Sequence, residues 1–162
     1  MKKINIVLYA PEIPQNTGNI SRTCAVVGAS LHIIKPIGFE ISDRTLKRAG
    51  LDYWDKLEVY YYENYDEFME RHGEKPLYYF SAKGKKAFFE PKYEDEVFLI
   101  FGRESVGLPD DLVRKNFDRT LRIPMRKTLR CLNLSNAVAV TVFEVLRQDG
   151  YDGLMLESEY EI

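Results

Sequence analysis

Val97-Phe98-Leu99-Ile100-Phe101-Gly102-Arg103-Glu104-Ser105-Val106-Gly107-Leu108-Pro109 joins an unbroken apolar run to a polar loop bounded by glycines. The apolar run is strand-length and does not alternate, so both of its faces must be covered. The glycines on either side of Glu104 permit close backbone approach and positive φ. Pro109 followed by Asp110 and Asp111 reads as a helix start. A doubly covered strand, a tight loop and a helix together form the repeating unit of an α/β protein built on a parallel sheet.

The same pattern extends in both directions. Short apolar runs predict strands at about 3–9, 30–35, 58–62, 77–81, 96–101 and 119–123. Helical periodicity predicts helices at about 17–28, 42–49, 65–71, 109–115 and 134–149. The expectation is one α/β domain over about 1–153, a mostly parallel sheet flanked by helices, with an acidic tail from about 154 to 162. In the last helix, Leu134, Ala137, Val138, Ala139, Val140, Val142, Phe143, Val145 and Leu146 leave few polar breaks. A helix apolar on nearly every side must be covered on nearly every side, and one sheet covers one face, so a second subunit is expected on the other, the alternative being a central helix within a monomer.

The chain has 162 residues, 45% hydrophobic and 30% charged, with a net charge of −2. That composition excludes disordered, collagen-like and coiled-coil classes, and the bulk charge lacks the basic excess usual for nucleic-acid binders. Charge is uneven, however: Arg119, Arg122, Arg126, Lys127 and Arg130 cluster with no acid among them. Such a patch can bind phosphates on an acidic protein. Cys24 and Cys131, like His32 and His72, are far apart in sequence and lack metal-ligand spacing, so no metal is expected. With neither a signal-peptide pattern at the start nor a long apolar span, the expectation is a cytoplasmic protein with no membrane partner.

Ligands of open α/β sheets bind beyond the carboxyl ends of the strands, and three loops there are chemically rich. The first, Pro11-Glu12-Ile13-Pro14-Gln15-Asn16-Thr17-Gly18-Asn19-Ile20-Ser21-Arg22, sets an amide, a hydroxyl and a glycine where a helix begins. It is either an oxyanion cradle or an N-cap formed by Asn16 or Thr17, with Arg22 a functional or a solvated charge. It lacks G-x-G-x-x-G, which removes the main support for a nicotinamide-type Rossmann reading. The second loop carries Glu104, a catalytic carboxylate or a capping and ion-pairing one. The third, Ile123-Pro124-Met125 through Asn133-Leu134-Ser135-Asn136, enters the apolar helix with more capping residues than a cap requires.

N-T-G-N-I-x-R in the first loop, F-G-x-E-x-x-G-L-P in the second, and I-P-M followed by N-L-S-N-A-V in the third resemble the signature motifs of the SPOUT superfamily of RNA methyltransferases. The opening N-I-V-L-Y-x-P-E-I-P and Arg48-Ala49-Gly50-Leu51-Asp52-Tyr53 resemble its minimal YibK-like, TrmL-type tRNA (cytidine/uridine-34-2′-O)-methyltransferases. The resemblance implies a single-domain SPOUT fold with a C-terminal deep trefoil knot and a homodimer packed through its first and last helices. It also implies S-adenosylmethionine, converted to S-adenosylhomocysteine, held by backbone groups at Phe80, Gly102, Ile123 and Cys131. The implied substrate is the wobble nucleotide of a tRNA, with Arg22 central to catalysis, Asn16 and Glu104 shaping the site, and Ser135 and Asn136 completing it. No metal and no obligatory protein partner are implied. The alternatives are another tRNA or rRNA position, or a non-catalytic RNA-binding module of the same fold. Arg103 stands where close relatives often carry Pro, either to pair with Glu104 or to touch RNA, and Cys131 where some carry Ser.

Overall fold

The computed structural model describes residues 1–39, 57–128 and 131–159. The expected helix at about 42–49 and the segment Arg48–Tyr53 lie outside the described residues, as does Arg130. The strands are β1 (Lys3–Tyr9), β2 (Ser30–Ile34), β3 (Val59–Tyr62), β4 (Leu77–Phe80), β5 (Lys86–Ala87), β6 (Glu96–Phe101) and β7 (Thr120–Arg122). Between them run helices α1 (Pro14–Val27), α2 (Tyr65–His72) and α3 (Asp110–Lys115), a 3₁₀ turn at Phe117–Arg119, and finally α4 (Leu134–Gln148). Among the described residues the seven strands form one sheet in the order β3-β2-β1-β6-β4-β7-β5, and each pairing between them is parallel. The sheet expected to be mostly parallel is therefore wholly so, and the two-residue β5 at its edge is an addition.

The apolar run in β6 divides as strand geometry requires. Val97, Leu99 and Phe101 join Ile4, Ile6, Leu8, Leu31 and Ile33 in a core under α1 and α4. Phe98 and Ile100 join Val7, Ile34, Leu77 and Tyr79 in a second core under α2 and α3, whose Phe68, Leu112 and Val113 are buried there. Successive side chains point to opposite faces, so a run without alternation fills two cores at once.

α1 and α4 pack side by side on one face. Val138, Thr141, Val142, Val145 and Leu146 of α4 are buried. The opposite stripe is not: Asn136, Val140, Phe143 and Arg147, spaced as one helical face, are exposed, Phe143 at 47% and Val140 at 42%. Gln15, Asn19, Arg22 and Val26 form the matching exposed stripe of α1. The chain itself thus covers one face of α4 and leaves the other open.

At the C-terminal end, Leu154 packs against the core and Asp152 pairs with the Met1 amine, while residues 155–159 are exposed. No helix among the described residues is long and apolar enough to cross a membrane.

Candidate active site at the carboxyl edge of the sheet

The parallel register brings the three loops together. Phe80 is level with Phe101 on one side and Leu121 on the other, so β4, β6 and β7 end at the same height and release their loops at one edge. β1 lies beside β6, with Leu8 level with Phe101, and adds the loop into α1. Phe80, Gly102 and Ile123 are therefore neighbours around this edge. The Phe80 and Phe101 rings stack at 4.6 Å beneath it. Cys131 lies farther along the third loop and is exposed.

Gly102 is required where it sits. A Cβ there would stand 2.1 Å from the Leu108 backbone nitrogen, so any side chain would open the loop. The loop closes on itself through Gly107 N–H donating to Arg103 O at 2.8 Å, with Gly107 at φ +73°. β1 turns into the first loop through Ala10, a non-glycine residue at φ +50°. Its conformation is held by the bond from Ala10 N to Ile34 O at 2.9 Å.

α1 starts earlier than its sequence suggested, at Pro14, with Ile13 at the cap position and no side-chain cap of its own. Neither Asn16 nor Thr17 caps it. Instead the Glu104 carboxylate accepts from Ile13 N at 3.1 Å and Glu12 N at 2.9 Å, so the second loop supplies the cap from across the edge. Glu12 returns the contact: its carboxylate accepts from Ser105 N at 3.0 Å and Ser105 Oγ at 2.9 Å. These bonds from Ser105, followed by the field of Arg103, hold the Glu12 carboxyl below the usual range.

Glu104 also accepts from Asn16 Nδ2 at 3.2 Å, and Asn16 Oδ1 accepts from Asn133 Nδ2 at 2.9 Å. Asn133 caps α4, its Oδ1 accepting from Ser135 N at 2.9 Å and Ser135 Oγ at 2.7 Å. One chain of bonds, Glu104–Asn16–Asn133–Ser135, therefore links all three loops and fixes the orientation of both amides. Of the candidate catalytic residues it joins Asn16, Glu104 and Ser135. Arg22 and Asn136 stand apart from it, on the exposed stripes of α1 and α4. Asn133 was named from sequence only as one of three possible caps with Ser135 and Asn136, and it is the one that caps; Glu12 and Ser105 were not singled out. The density of amides and hydroxyls in N-L-S-N was the only signal for Asn133, and contacts between loops some ninety residues apart leave none.

Elsewhere, cavities of about 400 Å³ and 350 Å³ lie against α2, on the far face of the sheet from α1 and α4. Burial pushes the Cys24 thiol up to about 12, which makes it an inert core residue.

The chain matches the SpoU rRNA Methylase family over residues 3–143. An Escherichia coli protein named tRNA (cytidine(34)-2′-O)-methyltransferase is 46% identical over 154 residues, spanning 94% of this chain and 98% of its own. A solved structure from Bacillus anthracis superposes with a TM-score of 0.90 at 47% identity, covering 96% of this chain and 99% of that one. Another, described as giving structural insights into the 2-OH methylation of C/U34 on tRNA, superposes with a TM-score of 0.87 at 41% identity. It covers 93% of this chain and 98% of its own.

Proposed function

The chain belongs to the SpoU rRNA methylase family, and on that premise we propose that it transfers the methyl group of S-adenosylmethionine to the ribose 2′-hydroxyl of nucleotide 34 in a tRNA. The observation that carries the reading is the bonded chain Glu104–Asn16–Asn133–Ser135 at the carboxyl edge, in a protein similar over nearly its whole length to a tRNA (cytidine(34)-2′-O)-methyltransferase.

The residues present fit the cofactor. Phe80 ends β4 level with Phe101 and Leu121, and Gly102 and Ile123 follow just beyond β6 and β7, so the backbone of three adjacent strand ends comes together at this edge. Together with Cys131 they would hold S-adenosylmethionine, whose chemistry when bound is an activated methyl on a sulfonium centre. The deep trefoil knot belongs to the same reading. Gly84, in the loop after β4, packs directly on β7, where a Cβ would stand 2.7 Å from the Leu121 carbonyl carbon.

Methyl transfer to a 2′-oxygen needs an in-line approach, an outlet for the hydroxyl proton, and donors for the negative charge that develops. Holding reactants in line supplies up to about 7–11 kcal/mol in favourable cases, which is the contribution expected of the rigid three-loop edge. A guanidinium keeps its proton, so Arg22 acts by holding the substrate phosphate and stabilising the developing alkoxide, while water or that phosphate takes the proton. Asn16 and Glu104 shape the pocket, Ser135 orients Asn133, and Asn136 contacts the substrate side.

The enzyme works as a homodimer. Arg22 and Asn136 share the exposed stripes of α1 and α4 with Val26, Val140 and Phe143, so covering those apolar residues with a second copy brings both polar groups to the interface. Incubation of tRNA and of rRNA with S-adenosylmethionine and the protein, followed by mass spectrometry of RNA fragments, tests the reading. A 2′-O-methyl group at position 34 of tRNA is expected. Unmodified tRNA alongside methylated rRNA would transfer the activity to the ribosome, and no methylation of either would leave the binding-module alternative.

A further inference from the structure

We propose that Arg103 holds a phosphate of the RNA substrate beside the reacting nucleotide, an inference that rests on the methyl-transfer reading above. Its backbone is pinned on both sides. Arg103 N donates to Gly107 O at 3.2 Å and Arg103 O accepts from Gly107 N at 2.8 Å, and Gly102 before it packs directly on the backbone of Gly107 and Leu108. The direction in which the side chain leaves the loop is therefore fixed. The residue is half-buried, and its Nε is fully buried with no hydrogen-bond partner.

Carboxylates are close by, yet neither closes on it. Glu104 is engaged by Glu12 N, Ile13 N and Asn16 Nδ2, and Glu12 by Ser105 N and Oγ. Among the described residues Arg103 forms no ion pair. Its field nevertheless reaches Glu12. The sequence left open whether Arg103 pairs with Glu104 or touches RNA; among the described residues Arg103 forms no ion pair with Glu104, whose oxygens accept from three amide donors instead.

A half-buried guanidinium that no carboxylate closes on turns its outer nitrogens to an oxyanion, and its planar fork suits a phosphate, while the buried Nε makes no hydrogen bond within the protein. Two oxyanions come to this edge, an RNA phosphate and the carboxylate of the cofactor's methionine part. The phosphate is favoured by position. Arg103 lies on the outward side of Gly102, the proposed cofactor contact, next to the exposed Ser105 and Val106 and on the same edge as the exposed Arg126 and Lys127. Arg103 thus sets affinity and register for the RNA, apart from the chemistry carried by Arg22.

The test compares wild type, Arg103→Gln and Arg103→Lys for binding and methylation of a tRNA transcript between about 50 and 200 mM salt. For Arg103→Gln the expected result is about tenfold weaker RNA binding, kcat at saturating RNA within about threefold, and unchanged affinity for S-adenosylmethionine. The slope of log K against log salt should become shallower by about one phosphate contact. Arg103→Lys keeps the charge and loses the planar fork, so it should retain the slope and recover part of the affinity. If Arg103→Gln folds poorly, Arg103→Met, which also removes the charge, carries the slope test. Unchanged RNA affinity and slope in Arg103→Gln would overturn the assignment. So would weakened cofactor binding with unchanged RNA binding, which would give the fork to the methionine carboxylate. Failure of the wild type to methylate tRNA would overturn the functional reading and this inference together.

Discussion

Glu104 shows how one carboxylate can tie the second loop to the first. Its two oxygens accept from two backbone amides at the start of α1 and from Asn16. Glu104→Gln replaces one acceptor oxygen by an NH₂ group that faces donors only. The expected cost is about 1–3 kcal/mol of stability, read as a lowered melting temperature, together with reduced kcat because Asn16 loses its anchor. Asn133 is the sharper probe, since it caps α4 and orients Asn16 at the same time. Asn133→Ala should cost about 1 kcal/mol through the lost cap and lower kcat at least tenfold, whereas an effect on stability alone would reduce Asn133 to a cap. Arg22→Ala should abolish transfer while cofactor binding stays within a few-fold; turnover near wild type would remove Arg22 from its proposed role. Residue types in the three loops were legible from sequence because amides, hydroxyls and acids are unusual where strands run into helices. Partners were not legible: whether Glu104 caps, pairs or catalyses depends on which backbone amides the register brings to it.

At the level of elements, β1, β2, β3 and α2 are tied together by a polar network inside the second core. Asn5 Nδ2 donates to Val97 O, and Asn5 Oδ1 accepts from His32 Nε2 at 3.2 Å. His32 Nδ1 is then the acceptor for the Tyr62 hydroxyl at 2.7 Å, and that hydroxyl in turn accepts from His72 Nε2 at 2.9 Å. Histidines forty residues apart, which gave no motif in the sequence, thus share one tyrosine. Burial, helped by the His72 and Lys3 charges, pushes the His32 pKa from 6.5 down to about 3. Its folded pKa lies below its unfolded one, so the unfolded chain binds the extra proton across that window. Stability is full above about 6.5 and falls as the pH drops toward about 3. Denaturation midpoints measured across this range should fall less steeply in His32→Gln than in wild type, and equal slopes would show that other groups govern the acid limb. Tyr62→Phe leaves a buried imidazole acceptor and a donor without partners, at an expected cost of about 1–3 kcal/mol. Strands were readable from apolar runs, but not β5, whose two residues carry no periodic signal, nor the true start of α1, whose cap comes from another loop.

Across the whole molecule the open question is what covers the outer stripes of α1 and α4. A periodic apolar helix in the sequence already required cover on both sides. The fold locates what is uncovered: Val26 at 64% exposure, Phe143 at 47% and Val140 at 42%, interleaved with Arg22 and Asn136. Scattered apolar residues are ordinary on a surface, but here they lie on adjacent helices and alternate with Arg22 and Asn136, the polar groups proposed to serve the chemistry. A second copy placed on this face would remove the apolar stripes from water and set the two Arg22 side chains at a shared interface. It would also double the basic surface that includes Arg126 and Lys127 on a chain whose net charge is only −2, whereas Arg119 stands before β7 beside Lys75 and Pro76, at the opposite edge of the sheet. Phe143→Glu puts a charge on the stripe while leaving Val138, Val142 and Val145 undisturbed beneath it. Light scattering should then change from a dimer to a monomer with the far-ultraviolet circular dichroism retained, and methylation should fall by at least tenfold with it. A folded, fully active monomer would separate the site from the interface and make each chain catalytically complete.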